Sequence, residues 1–483
     1  MHLEQRRLTC VNLATAVILS LGLFLLLNAT LWAADASPDD RFVSATGSGT
    51  ACSQAVPCPL HTALGQAVDG DTVYVGQGIY TGTGGAVLSV THSISLYGGW
   101  DGTITVPPLR DPEIHRTTLD GQGVRHVIFI GDDASPTVDG FVITGGWGED
   151  GGGIHIYGAA PLIQNNVITA NHTVTSGSYI NGRGGGIYVG GFGNAVISHN
   201  LIISNASGYG GGIYHDGSEV ITIIADDIIG NRASRRGGGI MVENRADIIQ
   251  GNVISGNVAG SGGGGGIMIW HAACHVEANR IIRNVAGGGG GISMGNHATP
   301  SILNNLVISN SRDGIQVGYS SSSIVNNTIV GSGLSDSGHG INLAGSTSCS
   351  SPDCNGGLII NNIVISYNSG IVGFNQITPT IDYNDVWGNL AANYSLPPGV
   401  VTGTHNISQD PRFVDPTVDN YHLQTDSPCI NAGDPAGVPP APATDIDGNP
   451  RPSCIAVDLG AYEEHEPDCF HIDLPLILRG YGP

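Results

Sequence analysis

Between Gly151 and Ile371 a short run of glycine followed by isoleucine returns nine times, first as Gly151-Gly-Gly-Ile154 and last as Ser369-Gly-Ile371. The isoleucines Ile154, Ile187, Ile213, Ile240, Ile267, Ile292, Ile315, Ile341 and Ile371 stand 33, 26, 27, 27, 25, 23, 26 and 30 residues apart. A second landmark keeps a different phase, from Asn165-Asn-Val-Ile168 and His199-Asn-Leu-Ile202 through Asp226-Asp-Ile-Ile229 to Tyr383-Asn-Asp-Val386. Two registers held over nine units restrict the chain to an architecture in which each unit packs on its neighbours.

Each unit holds short β-branched runs broken by Gly or Asn, too short for helices and spaced with a period of two. Such units cannot close a core alone, but stacked units can, each strand pairing in parallel with its equivalent about 4.8 Å away. Residues 140 to 390 then form about nine coils, a stack on the order of 40 Å long. Asn166, Asn200, Asp227, Asn252, Asn279, Asn305, Asn327, Asn362 and Asn384 should align as an amide ladder at a bend, taking up a left-handed backbone there. The glycines should supply positive φ and close approach at another bend.

These two units at this pitch resemble the right-handed parallel β-helix repeat of the pectate-lyase-like superfamily, strongly over 137–389. The resemblance implies an all-β, single-stranded right-handed parallel β-helix. Leu60, Ala63, Leu64 and Val68 share one helical face, which suits a short helix capping the N-terminal end. After Asn389 the repeat stops. The stretch from Asp410-Pro-Arg-Phe-Val-Asp415 through Ser427-Pro-Cys-Ile-Asn-Ala-Gly433 to Val457-Asp-Leu-Gly-Ala-Tyr-Glu463 resembles the choice-of-anchor Q module of bacterial surface proteins. The chain thus divides into 1–36 (signal peptide), 37–136 (cap and first coils), 137–390 (repeats), 391–465 (small C-terminal β module) and 466–483 (tail).

Arg6 and Arg7, the apolar run Val11 to Leu27 and the small residues Ala34-Asp35-Ala36 read as an export signal, with an uncleaved anchor as the alternative. Cysteine usage agrees with an oxidising compartment. Cys52 with Cys58, Cys349 with Cys354 and Cys429 with Cys454 read as three disulfides, leaving Cys274 and Cys469 unassigned. All 17 basic residues are arginine, so lysine bases and lysine-dependent phosphate loops are excluded. The formal net charge of −23 disfavours nucleic acid. The reading is of an exported, surface-associated monomer.

The superfamily includes polysaccharide lyases and polygalacturonases, but a fold does not carry an activity. Gly338-His-Gly340 and Asp226-Asp227 are similar to polygalacturonase motifs, yet lie 112 residues apart and coincide with repeat landmarks, so they read as structural. Asp445, Asp447 and Asn449 have the spacing of calcium ligands, but Pro450 stands where a glycine is required; a module turn is expected, with calcium as the alternative. His271, Cys274 and His275 read as a loop rather than a metal site. No metal site or cofactor is assigned.

One constellation stands out. If the repeat isoleucine points inward, the next residue and the third point outward. The first of these positions holds His155, Tyr188, Tyr214, Met241 and Met268; the second holds Tyr157, Asp216, Glu243 and Trp270, with Arg245 and His271 just beyond. Aromatic rings beside carboxylates suit sugar rings and their hydroxyls. Asp216 and Glu243 are the candidate catalytic pair, with Cβ atoms expected about 5 Å apart. Tyr188, Tyr214, Arg245, Trp270 and His271 are the candidate binding residues. His215 should then be buried, and Asp216-Gly217 could already form a turn. The expected function is contact with extracellular polysaccharide, with or without cleavage; the alternative is a non-catalytic adhesin or envelope structural protein.

Overall fold

The computed structural model describes residues 39–173, 182–334, 338–345, 356–434, 443–453 and 456–464. Three parallel sheets of 13, 12 and 12 strands run the length of a right-handed solenoid. In the coil that opens at Leu162–Gln164 in the first sheet, the chain bends into Val167–Thr169 of the second. It touches a short fourth sheet at His172–Thr173, re-enters the third at Ile187–Gly190, and starts the next coil at Val196–Ser198. The glycine-isoleucine landmark sets the third sheet: Ile154, Ile187, Ile213, Ile240, Ile267, Ile292, Ile315, Ile341 and Ile371 pair one with the next. All nine are fully buried and meet the inward columns of the other two sheets, such as Ile163, Ile197 and Ile223, and Ile168, Ile202 and Ile228. Burying each such side chain is worth roughly 2 kcal/mol against exposure.

The bend between the first and second sheets is an amide ladder. Asn279 shows the unit: its backbone N–H and its Nδ2 both donate to Oδ1 of Asn305 at 3.0 Å, and Nδ2 also donates to the Ile249 carbonyl of the preceding coil at 2.8 Å. Two expectations are corrected here. Asp226, not Asp227, occupies the column, accepting from Asn200 N and Nδ2 at 2.7 and 2.9 Å, while Asp227 begins the next strand. The left-handed residue is the one before the ladder position, such as Asn165, Asn304 or Asn361, so a double Asn does two jobs. A second ladder, Asn171, Asn205, Asn231, Asn257, Asn284 and Asn310, lies five residues further on at the next bend.

The glycine run also divides its labour. Gly237 has φ +65, whereas a Cβ on Gly238 would meet the Gly265 carbonyl oxygen at 2.5 Å and the Val258 backbone at 2.6 Å. The second contact arises because the chain passes over this corner: Val258 bridges Arg232 of the fourth sheet and Val285.

The solenoid begins at Asp40–Val43, paired with Thr72–Gly76. The cap helix spans Leu60–Gln66 and buries Leu60 and Ala63, but it ends before Val68, which is exposed. Of the three expected disulfides, the one between Cys52 and Cys58 is formed. The second, between Cys349 and Cys354, falls on a segment outside the described residues, so neither Cys349 nor Cys354 is placed in a bridge. The third is corrected at one end: Cys429 is a buried thiol that donates to Asp385 Oδ2 at 3.3 Å. Its expected partner Cys454, with Cys469, the expected export signal and the tail, also lies outside the described residues. Towards the C-terminus a two-stranded antiparallel sheet, Phe413–Asp415 with Asn420–Leu423, does not extend the stack. Phe413, Tyr421, Leu423, Leu459 and Tyr462 pack sideways on outward residues of the second sheet, Ile282, Leu306, Ile308, Val330, Ile363 and Ile365.

Candidate functional site

The outward face of the third sheet builds the site. Strand alternation turns the residue after each repeat isoleucine outward, and in-register pairing stacks His155 beside Tyr188, Tyr188 beside Tyr214, Tyr214 beside Met241 and Met241 beside Met268. This column was expected to be an open aromatic wall. It is covered: Tyr188 and Tyr214 are each only 4% exposed, and Met241 and Met268 less. The cover comes from the fourth sheet. Asp150, Arg183, Tyr209 and Arg236, each the residue just before a glycine run, pair in sequence across neighbouring coils. Their side chains lean over the third sheet, with the Arg183 guanidinium 4.8 Å from the Tyr188 ring centre and 5.6 Å from that of Tyr214. Arg236 sits 4.2 Å over the ring of Trp270, and Arg235 lies 5.5 Å from that of Tyr209.

Both candidate acids lie under this cover. Arg183 pairs through Nη1 with Asp216 and through Nη2 with Asp150 at 2.6 Å, and its Nε donates to Asp150 Oδ1 at 2.9 Å. The Tyr188 hydroxyl donates to the other Asp216 oxygen at 3.0 Å. The Tyr214 ring lies on the coil before Glu243, and its hydroxyl acts on the Glu243 carboxyl electrostatically. Burial holds the Glu243 carboxyl above the usual carboxylate range; the Tyr214 hydroxyl opposes the shift, Asp216 adds to it, and Arg183 and Arg236 oppose it. Burial also raises the hydroxyls of Tyr188 and Tyr214, which stay protonated as donors. Asp216 lies just past its strand, Ile213–His215, whereas Glu243 ends Ile240–Glu243 and pairs with Trp270.

The remaining candidates are distributed. Trp270 is half-buried at the edge of the cluster. Arg245 is committed to the main chain, its Nε donating to Gly217 O at 3.0 Å and its Nη1 to Asn244 O at 2.9 Å. His271 takes a left-handed backbone and faces Asn296 Nδ2 at 3.3 Å. Cys274 is in the core and His275 pairs outward with Glu277 at 2.6 Å, so the three do not converge. His215 is fully buried as alternation requires, with Nδ1 2.7 Å from buried Asp247 Oδ2. Exposed aromatics occur instead at Tyr157 and Phe192, 55% and 56% exposed. Sequence reasoning missed Asp150, Arg183 and Arg236, although their shared place before each glycine run was visible.

Calcium does not fit the residues suggested for it. Asp445 Oδ1 accepts from the backbone N–H groups of Asp447 and Asn449, its Oδ2 from Asn449 Nδ2 and Glu463 N, and Asp447 pairs with His422. Among the described residues, no three His, Cys, Asp or Glu side chains group as a metal site.

A search of curated proteins returns no sequence match. Among solved structures, pectate lyase Pel9A is similar at 12% identity and a TM-score of 0.49, the alignment covering 88% of this chain and 96% of that one. The PL6 family alginate lyase AlyGC is similar at 14% identity and a TM-score of 0.43, covering 80% of this chain and 57% of that one. The PL6 family polysaccharide lyase Pedsa3628 from Pseudopedobacter saltans is similar at 14% identity and a TM-score of 0.39, covering 76% and 94%. The family described as right-handed beta helix region matches residues 110–288 and 185–355, together just over half of the chain. With that match and with coils that pair in register from end to end, the chain belongs to the right-handed β-helix family.

Proposed function

We propose that this protein is exported, binds an extracellular polysaccharide along the outward face of its third sheet, and cleaves it with Glu243 as proton donor. The observation that carries the reading is the unequal treatment of two carboxyls on neighbouring coils: Asp216 is ion-paired with Arg183, whereas Glu243 is half-buried and held towards its protonated form. A protonated acid beside a fixed carboxylate is the division of labour that glycoside hydrolysis requires. Glu243 would protonate the glycosidic oxygen, and Asp216 would stabilise or attack the developing cation. Trp270 pairs directly with Glu243 on the next coil and offers a platform for a sugar ring. The Cys52–Cys58 bridge supports export, and surface association through the C-terminal module belongs to the same proposal.

A non-catalytic glycan adhesin is the second reading. It is favoured by Arg183 and Tyr188, which already occupy both oxygens of Asp216. Incubation of the purified protein with a polysaccharide panel, assayed for reducing ends and unsaturated products alongside glycan-array binding, separates the two. Glu243→Gln should abolish turnover and leave binding within a few-fold. Binding without any turnover in the wild type establishes the adhesin; neither binding nor turnover overturns both.

A further inference from the structure

Two residues before the repeat isoleucine, glycine holds six consecutive coils, at Gly152, Gly185, Gly211, Gly238, Gly265 and Gly290. The next three coils carry Asp313, His339 and Ser369 at that same place. At Gly290 an added Cβ would lie 2.2 Å from the Ser311 carbonyl oxygen, so the last glycine of the column is required by the chain beside it.

The three residues are ordered by the register. Ile315 pairs with Ile341 and Ile341 with Ile371, and His339 pairs directly with Ser369. Asp313 Oδ1 lies 2.8 Å from His339 Nδ1 and accepts the His339 backbone N–H at 3.1 Å; its Oδ2 accepts from Asn342 Nδ2 at 2.7 Å. A buried carboxylate so placed keeps the proton on Nδ1 and leaves Nε2 as the basic nitrogen. The ring is partly open to solvent. It meets Phe374 edge-on, centroids 6.2 Å apart, and Phe374 ends the strand that Ser369 begins. The imidazole thus touches Asp313 on the preceding coil and Phe374 on the following one, and Ser369 is the backbone partner of His339 there, one spacing of about 4.8 Å away and itself 7% exposed. Phe374 is 49% exposed, an apolar surface beside the histidine.

We propose that Asp313, His339 and Ser369 form a second hydrolytic site, acting on small O-acyl esters such as acetyl groups carried on glycan hydroxyls. It stands on coils other than that of Glu243 and does not depend on the reading given above. Ser369 Oγ attacks the acyl carbon as its proton passes to His339 Nε2. The bond from acyl carbon to alcohol oxygen breaks, and His339 returns the proton to that oxygen. Water, deprotonated by His339, then cleaves the acyl-serine, releasing the carboxylic acid and restoring the hydroxyl. Asp313 holds Nδ1 and orients the ring. The Nε2–Oγ hydrogen bond is the link left unmade between these residues, and such bonds commonly tighten only with substrate bound.

The test uses the purified protein with p-nitrophenyl acetate and, separately, with an alkyl fluorophosphonate followed by peptide mass mapping. The expected result is hydrolysis above the buffer rate and a phosphonyl adduct on Ser369. Ser369→Ala should remove the adduct and the hydrolysis, while His339→Gln and Asp313→Asn lower turnover by roughly 10²- to 10⁴-fold. Exposed imidazoles hydrolyse such esters unaided, so Ser369→Ala decides the matter. Wild-type hydrolysis in that variant, or no adduct on Ser369, overturns the proposal; circular dichroism of each variant confirms that the coils remain folded.

Discussion

The third sheet carries two surfaces on one backbone. Over its Gly152 to Gly290 coils, chain from the fourth sheet and its continuation crosses the corner, glycine is required beneath it, and Arg183 and Arg236 seal the outward tyrosines, methionines and Trp270. Beyond Ser311 side chains replace the glycines, and two of them stay buried, Asp313 at 5% and Ser369 at 7% exposed. The glycine column becomes Asp313, His339 and Ser369, and the outward column beside it becomes Gln316 and Asn342. The inward isoleucines are the same in both regions. The ladder therefore decides which residues face the core, whereas the neighbouring chain decides what the outer surface can hold.

The largest expected effect separates the two regions directly. Gly238→Ala drives a Cβ into the backbone of two neighbouring segments and should cost about 3 kcal/mol or more in urea unfolding. Ser369→Ala, at the equivalent place on a later coil, removes only a hydroxyl and should cost under ~1 kcal/mol. Equal costs would break the comparison.

The ladder beneath both regions has its own test at Asp226. Its neighbours Asn200 and Asn252 aim Nδ2 at carbonyls of the preceding coil, those of Ile163 and Ile223, but Asp226 has a carboxyl there, and its Oδ2 is buried without a partner. Burial pushes this acid up to about 7, against the opposing hydrogen bonds from Asn200 and with Asp227 adding to the rise. A folded pKa above the unfolded value means that the fold holds the proton more tightly. Stability is then fully present below the unfolded pKa and lost as pH rises through the folded one. Asp226→Asn should accordingly be the more stable protein at pH 8, by about 2–4 kcal/mol, with the gap closing towards pH 4. A gap that is constant with pH would show that Asp226 does not titrate in this window.

Arg183→Ala removes the seal of the first region and leaves Asp150 and Asp216 facing each other without their cation. The cost should be about 2 kcal/mol, between the values for surface and buried pairs, because the arginine is one-third exposed. No change in thermal stability would mean that the cover is loose. The smallest effect is that of Tyr214→Phe, which deletes the hydroxyl opposing the upward shift of Glu243. The pH midpoint for carbodiimide labelling of Glu243, mapped by mass spectrometry, should rise. A fall would reverse the assigned role of that hydroxyl.

Much of this molecule could be read along the chain, for one physical reason. In a parallel stack held in register, equivalent residues face each other, so a side chain that satisfies one coil satisfies the next, and the requirement is written into the sequence as a period. The buried isoleucines, the amide ladder, the glycine corner, the inward turn of His215 and the strand position of Glu243 all follow from that rule. The second ladder, five residues beyond the first, was equally legible. What no period could determine is contact between columns. Arg183 reaches Asp216 and covers Tyr188 because a fourth sheet leans across the third, and Arg245 is drawn to a turn carbonyl rather than to the acids. The C-terminal module lies flat on the second sheet because Leu306, Ile308 and Ile363 make that face apolar. Those outcomes depend on how separate surfaces meet in space, and only the tertiary structure decided them.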